Sequence, residues 1–360
     1  MNVSGTRNVA VALSGGVDSS VAVAELLRQG HHVIAVTMRT WIDTDGRLPA
    51  APDSVVAEAR KVAKHFDVPH NVLDFEVSFR SDVVVPYIDT YLSGLTPNPC
   101  VRCNRIFKFG RVLDAALELG ANFIATGHYV RISRSDKTGR YEMSKGADST
   151  KDQSYVLCLL SQEQLARAMF PLGGLSKKEV RRVATEAGLD IPPHTESQDV
   201  CFLPDQDYRG FLGRQANDTT NPGPIVDKNG IVLGQHKGLP FYTIGQRKKL
   251  GIGGGKPYYV TALVPETNTI AVGSLDDLGS DECHVGEVNW VSIPRPKGAI
   301  RAEVKLRYQH APAFATVTPT SSTTAEISFD APQRAISPGQ FAVFYNDDLL
   351  LGGGAIEVSR

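Results

Sequence analysis

The stretch Ser14-Gly15-Gly16-Val17-Asp18-Ser19-Ser20 constrains this chain more than any other. It follows an unbroken apolar run, Val9 to Leu13, and precedes a second one, Val21 to Leu27. The first run is short, has no polar alternation and contains β-branched residues, so it reads as a strand buried on both faces, as in a parallel sheet. The second reads as a helix that stops at Gly30. A glycine turn between such a strand and a helix N-terminus is an anion site: Gly15 and Gly16 let the backbone come close, and the free N–H groups of the first helical turn point outward. Ser14, Ser19 and Ser20 add hydroxyl donors. The plainer alternative is a serine-capped helix after a glycine turn.

The loop lacks the G-x-x-x-x-G-K-[ST] pattern, so no lysine within it serves terminal phosphates. SGG-x-DS resembles the pyrophosphatase loop of the N-type ATP pyrophosphatases. Those enzymes split ATP between the α- and β-phosphates, adenylate an oxygen of a second substrate, and let a nucleophile displace AMP. The resemblance implies ATP as cosubstrate, and an acidic residue inside the loop, Asp18, suits the Mg²⁺ that accompanies pyrophosphate.

A chain of 360 residues, 42% hydrophobic and 21% charged, has room for two or three globular domains. No apolar run reaches membrane-span length and the N-terminus has no signal-peptide pattern. Five cysteines without framework spacing (Cys100, Cys103, Cys158, Cys201, Cys283) argue for a reducing cytoplasm. A net charge of −1 does not by itself advertise nucleic-acid binding, although local basic tracts such as Arg247-Lys248-Lys249 could supply it.

Past the loop, His32 to Met38 reads as a second strand, starting a doubly wound sheet whose ligands lie at the strand C-terminal ends. Met38 there could cover an adenine or belong to the core. Helical spacing runs over Ser54–Phe66 and Val83–Leu92, with a strand between, Asn71–Phe75. In Thr96-Pro97-Asn98-Pro99-Cys100-Val101-Arg102-Cys103-Asn104 the prolines imply extended backbone, followed by a helix over Ile106–Leu119. Cys103 is then expected near a helix start with Arg102, Arg105 and Lys108 nearby, both of which lower a thiol pKa. C-x-x-C alone leaves a redox pair, half a zinc site or chance open. Ala121–Tyr129 reads as a strand delivering Gly127 and His128 to the crevice. Val156–Leu160 is expected to be a helix that buries Cys158, and Ser176 with Glu179 forms a capping box. From about Tyr208 the texture turns to Gly, Pro and short β-like runs, and from Glu287 onward to antiparallel alternation with regular turns, as in a small barrel. The Gly-rich basic loop Thr243–Gly254 could meet phosphates or be plain loop.

Several strings together extend the resemblance over nearly the whole chain: SGGVDSS, TPNPCVRCN, TGHY, KDQSY, SQDVCF (Ser197–Phe202), TIGQRKKLGIGG, LRY (Leu306–Tyr308) and SPGQ (Ser337–Gln340). In this order they resemble the bacterial tRNA-specific 2-thiouridylase family. The resemblance implies an α/β chain: a doubly wound ATP pyrophosphatase domain at 1–207, a central tRNA-binding domain at 208–283 and an antiparallel β-barrel at 284–360. It implies ATP-dependent 2-thiolation of the wobble uridine of tRNA, with sulfur supplied as a persulfide by a cysteine desulfurase or a relay carrier. Glutamate, glutamine and lysine tRNAs are the expected partners.

Carried over by motif, Ala12, Leu13, Ser14, Gly15, Gly16, Val17, Asp18, Ser19, Met38 and Gly127 would bind ATP. Cys103 would be the nucleophile and Cys201 the persulfide carrier. Asn98, Pro99 and Cys100 would face the target base. His128, Lys151, Asp152, Gln153, Arg307, Tyr308 and Gln340 would contact tRNA. Many family members carry Asp at the position of Cys100. Cys100, Cys103 and Cys201 could alternatively hold a [4Fe–4S] cluster, as in some related tRNA thiolases. Rival readings are an amine- or ammonia-using ATP pyrophosphatase, which needs no thiol pair, and a non-catalytic nucleotide-binding module.

Overall fold

The apolar run after residue 7 forms β1 (Asn8–Ala12), and the chain then returns through α1 (Val17–Arg28) to β2 (His32–Arg39). The computed structural model describes residues 5–43, 51–189, 200–203, 206–215, 221–253 and 256–358. Next come α2 (Ala51–His65), β3 (His70–Asp74), α3 (Glu76–Phe79), a π-helical turn (Arg80–Val84) and α4 (Val85–Leu92). A short α5 (Pro99–Cys103) continues into a π-helical stretch, Asn104–Arg111, and then α6 (Val112–Glu118) and β4 (Phe123–Ala125). A hairpin of β5 (Val130–Arg134) and β6 (Tyr141–Lys145) precedes α7 (Gln162–Ala166), β7 (Ala168–Met169) and α8 (Lys177–Glu186).

The first sheet is parallel throughout, in the order β3-β2-β1-β4-β7. β1 is buried because its side chains meet helices on both faces. Val9 and Val11 pack with Ala22 and Leu26 of α1 and Ala59 of α2, while Ala10 meets Val36 and Ala116 in a separate cluster. The α/β expectation holds, with the loops after β1 and β4 side by side at one edge of the crevice.

Two predicted helices differ. The segment 154–160 is not a regular helix: Ser154–Leu157 makes one 3₁₀ turn, and Cys158 is buried beyond it. The helix expected from Ile106 starts at Pro99 instead. Asn98 is its extended N-cap, its side chain accepting from the Val101 amide at 3.4 Å, and a proline at the first helical position lacks only an N–H that would have been orphaned anyway.

After α9 (Tyr208–Gln215) the central part is a small sheet ordered β10-β11-β8-β9, built from β8 (Gly223–Val226), β9 (Val232–His236), β10 (Tyr259–Val264) and β11 (Thr269–Gly273) over a core that includes Ile225, Leu239, Val260 and Ile270. The last part contains β12 (Gly279–Trp290), β13 (Ile300–Lys305), β14 (Ala313–Pro319), β15 (Ala325–Arg334), β16 (Phe341–Asn346) and β17 (Leu349–Ile356). β12 is long enough to pair with β15 from Gly279 to Val285 and with β17 from Val285 to Trp290, the second ladder interrupted by a register shift between Gly286 and Asn289, which closes a six-stranded antiparallel barrel.

The hairpin β5–β6 joins this barrel rather than the parallel sheet, β6 pairing with β17. One core therefore runs across the junction, uniting Val101, Phe109 and Ile124 with Tyr155, Phe341 and Tyr345. That shared core holds the 96–104 segment against the barrel.

Candidate active site at the ends of the parallel strands

The loop between β1 and α1 is an open N-terminus. Gly16 is the N-cap of α1 and no side chain caps it, so the serine-cap alternative is overturned. The hydroxyls are used elsewhere: Ser19 Oγ accepts from the Ser14 amide at 3.2 Å and donates to Gly16 O at 3.1 Å, and Ser20 Oγ donates to Gly16 O at 2.9 Å. These bonds fold the loop around its own amides. Gly15 has φ +77° and a Cβ there would lie 2.6 Å from Glu58 Cβ, so both conformation and the proximity of α2 demand glycine. Gly127, after β4, packs on the same loop: a Cβ would lie 2.9 Å from the Asp18 carbonyl carbon and 3.0 Å from Ser19 N. Met38, near the C-terminal end of β2, is half-buried against the core.

Asp18 is engaged from two sides. Lys177 Nζ, at the start of α8, lies 2.8 and 2.9 Å from its two oxygens, and Tyr129 OH donates to Oδ1 at 2.6 Å. As a single carboxylate in a phosphate loop, Asp18 fits the usual Mg²⁺ arrangement of one or two carboxylates plus substrate phosphates. Sequence reasoning gave Lys177 no place at the loop: it is legible there only as part of the basic tract Lys177, Lys178, Arg181 and Arg182 beside a capping box, and that box is present, Ser176 Oγ accepting from the Glu179 amide.

The thiols gather on the neighbouring side. Cys103 is buried, 8% exposed, in a cluster with Phe79, Phe107 and Phe202, while Cys100 and Cys201 are reached by solvent; all are free. Cys103 lies in the electrostatic range of both Cys201 and Cys100. The expectation of a lowered Cys103 pKa is corrected: burial pushes it up to about 12, partly countered by Lys108 and reinforced by the two neighbouring thiols. Cys201 is pushed up to about 11, again mainly by its surroundings and then by Cys100. Cys103 stands at the end of α5 rather than at its start, so the N-terminus of its own helix does not favour its thiolate.

Of the basic residues expected around Cys103, Arg102 pairs with Glu287 of the barrel at 3.0 Å, and Lys108 is the one whose charge favours the thiolates of Cys100, Cys103 and Cys201. The π-helical stretch explains this, because its i→i+5 hydrogen bonding brings residue 108 over residue 103. Gln164 Nε2 donates to the carbonyls of Arg105 and Phe109 and ties the stretch in place. Asn104 Nδ2 donates to Val156 O, and its buried Oδ1 has no hydrogen-bond partner, a cost of about 1–3 kcal/mol one residue from Cys103.

Among the described residues no group of three or more Cys, His, Asp or Glu is arranged to hold a metal ion. The donor set for a [4Fe–4S] cluster on Cys100, Cys103 and Cys201 is thus not assembled here.

The residues expected to touch tRNA fall into two classes. Arg307 and Tyr308 are exposed, the Tyr308 ring beneath Lys305 Nζ at 5.5 Å, and Lys151 is partly exposed. The others are built into the frame. His128 is buried, its Nδ1 2.7 Å from Thr126 Oγ1, and burial first and Lys108 second hold its pKa well below the usual value. Asp152 accepts from the amides of Gly146 and Ser154 and from Ser154 Oγ, and Gln153 Oε1 accepts from the Tyr129 amide. Gln340 Nε2 donates to Thr96 O and Pro97 O, both at 3.2 Å, so the barrel clamps the strand leading to Asn98, Pro99 and Cys100. Beside this clamp, between α4, α5 and the barrel, lies a cavity of about 310 Å³ lined by Tyr87, Asn98, Pro99, Arg102, Glu287 and others. Of the SQDVCF string only Val200–Phe202 belongs to the described residues, and Gly254 also lies outside them.

Residues 7–205 match the family model for the tRNA methyl transferase HUP domain, 209–274 its PRC-barrel domain and 280–356 the aminomethyltransferase β-barrel domain. The tRNA-specific 2-thiouridylase MnmA of Heliobacterium modesticaldum is 46% identical over 97% of this chain and 92% of its own length. The chain belongs to the tRNA-specific 2-thiouridylase family. Another 2-thiouridylase, from Moorella thermoacetica, is 45% identical over 96% of this chain and 98% of its own. A solved structure of the U34-tRNA thiolase NcsA from Methanococcus maripaludis with its [4Fe–4S] cluster is similar at 18% identity and a TM-score of 0.35, over 59% of this chain and 64% of that one, a likeness too slight to bear on the 2-thiouridylase site.

Proposed function

We propose that this protein is a sulfurtransferase that replaces the C2 oxygen of the wobble uridine of tRNA with sulfur, at the expense of ATP. The observation that carries the reading is the adjacency of two halves of a site. An uncapped helix N-terminus in a serine- and glycine-built loop abuts Gly127; the next residue, His128, feels Lys108; and Lys108 acts on three free thiols. Family membership at full length supports the same reading, since the relatives are named for 2-thiolation. The family model's description names methyl transfer, but methyl transfer calls for neither an ATP pyrophosphatase loop nor paired thiols.

The chemistry follows from what each part can do. A uridine C2 oxygen is a poor leaving group; attack by that oxygen on the α-phosphorus of ATP releases pyrophosphate and leaves an adenylate. Donors on the loop, Ser14 to Ser19, would hold the phosphates. Mg²⁺, carried in with ATP and met by Asp18, would neutralise pyrophosphate charge. A persulfide on Cys201 attacks C2 through its terminal sulfur and AMP departs. Cys103 thiolate then attacks the Cys201 sulfur, freeing 2-thiouridine and forming a Cys103–Cys201 disulfide, whose two electrons an external thiol must return.

Asn98, Pro99 and Cys100 face the base in this scheme, with Lys151, Arg307 and Tyr308 on the tRNA surface and His128, Asp152, Gln153 and Gln340 shaping it. The domain boundaries 1–207, 208–283 and 284–360 divide the work into activation, docking and a barrel that clamps the base-facing segment. A cysteine desulfurase or relay carrier supplies the persulfide, in the cytoplasm; among the described residues no helix is long and apolar enough to cross a membrane.

The scheme is tested by measuring AMP and pyrophosphate release with and without unmodified substrate tRNA. Release that requires tRNA and yields both products in equal amounts is expected. ADP and phosphate, or no dependence on tRNA, would overturn adenylation.

A further inference from the structure

The loop from Ser14 to Ser20 has donors but no cation, and its charged member, Asp18, is of the wrong sign for phosphate. Backbone amides, hydroxyls and one divalent cation leave part of a nucleotide's polyphosphate charge unmatched, and a lysine is a strong point-charge partner for it. Lys177 reaches this place from α8. It is 9% exposed, and its ammonium lies 2.8 and 2.9 Å from the Asp18 oxygens and 5.9 Å from the centre of the Tyr129 ring.

The location is costly for a lysine. Residue 177 opens α8, where the helix dipole is positive and opposes a cation, and burial removes hydration. The frame nevertheless fixes it: Ser176 and Glu179 form the capping box, and the Lys177 amide donates to Asp148 Oδ2 at 2.9 Å. Beneath it, Val21 of α1 packs with Val180 and Ala184 of α8 and Tyr129, so α8 and α1 already adhere without the ion pair.

We propose that Lys177 is the polyphosphate-binding cation of the nucleotide site, held ready by Asp18 until ATP arrives. The inference rests on the ATP-using reading above and extends it. On binding, the ammonium turns from the carboxylate to the β- and γ-phosphate oxygens, and Asp18 becomes available for the nucleotide's divalent cation. The loop thus obtains from a distant helix the lysine that Walker-type loops carry internally.

The test compares ATP, inorganic pyrophosphate and AMP binding to the full chain by calorimetry, for wild type, K177M and K177R, with thermal unfolding alongside. For K177M, ATP and pyrophosphate affinity should fall roughly tenfold or more while AMP affinity changes less than about twofold, and K177R should recover most of the loss. Equal weakening of ATP and AMP, or none, assigns Lys177 a structural role and overturns the inference. A wild-type protein that binds neither ATP nor pyrophosphate would instead contradict the ATP-using reading itself. Should K177M fail to fold, acetylation of Lys177 in wild type, followed by peptide mass spectrometry, decides the matter: protection by pyrophosphate and not by AMP is expected, and equal labelling overturns it.

Discussion

Cys103 shows most directly how its surroundings set reactivity. Its neighbours are aromatic, and burial among them pushes its thiol pKa up to about 12, which favours the thiol over the thiolate until the surroundings change. Lys108 opposes that shift at Cys103, Cys100 and Cys201 alike. Replacing Lys108 by Met should therefore move the pH profile of Cys201 alkylation to higher pH and slow it at pH 8 by about tenfold, with the high-pH plateau unchanged. K108R should restore the profile. Alkylation followed by peptide mass spectrometry reads each cysteine separately, and an unmoved profile would remove Lys108 from the thiol chemistry.

Legibility at this scale was uneven. The loop, Gly127 and the cysteines stand in short strings whose chemistry is local. Lys177 does not, because it meets Asp18 only through the folded chain, and its own neighbourhood shows a helix cap and a basic tract that reads as a solvated helix face. The sign of the Cys103 shift was missed for a related reason. Nearby basic residues are visible in sequence, whereas desolvation by Phe79, Phe107 and Phe202 comes from three separate segments.

Among the elements, the turn after β4 and the loop after β1 form one unit. A Gly127→Ala change would put a Cβ at 2.9–3.0 Å from the backbone of Asp18 and Ser19, which cannot give way without opening the phosphate loop. We expect a stability loss of about 1–3 kcal/mol by urea denaturation and weaker ATP binding. A variant with wild-type ATP affinity would show that the contact does not shape the loop. At α5 the cap is the determinant: Asn98→Ala should cost about 1 kcal/mol and loosen the segment bearing Cys100 and Cys103. Hydrogen exchange at Val101 reports it, with unchanged protection as the contrary result. The start of α5 at Pro99 was hidden because Pro-x-Pro reads as extended chain; that Pro99 itself occupies the first helical position depends on Asn98 serving as cap. The π-helical stretch has no signature in residue spacing, since it differs from an α-helix only in which carbonyl each amide meets.

For the whole molecule, architecture was the most legible part: a parallel sheet first, β texture after, and alternation in the last third that a closed barrel satisfies. What pattern could not reveal is that the hairpin β5–β6 leaves its own domain to extend the barrel, a pairing across some two hundred residues of chain. Acid sensitivity is spread over the fold, because buried or half-buried histidines occur in each of its parts. His31, His70, His128, His236 and His310 are all lowered from the ordinary histidine value, by burial first. Each binds its proton more readily unfolded than folded, so stability is fully present above the unfolded pKa near 6.5 and falls as pH drops through it. The thermal midpoint should decline between pH 7 and pH 5; a flat or rising midpoint would contradict the burial of these rings.

The proposed chemistry makes one demand that no other reading shares, a sulfur atom on uridine that depends on two thiols far apart in sequence. The decisive measurement is nucleoside mass spectrometry of unmodified glutamate, glutamine or lysine tRNA after incubation with this protein, Mg-ATP, cysteine and a cysteine desulfurase, alongside C103S and C201S. 2-Thiouridine formed by wild type and absent with either variant is the expected result. Thiouridine that persists in both variants, or none from wild type while AMP is still released, would contradict the two-thiol mechanism.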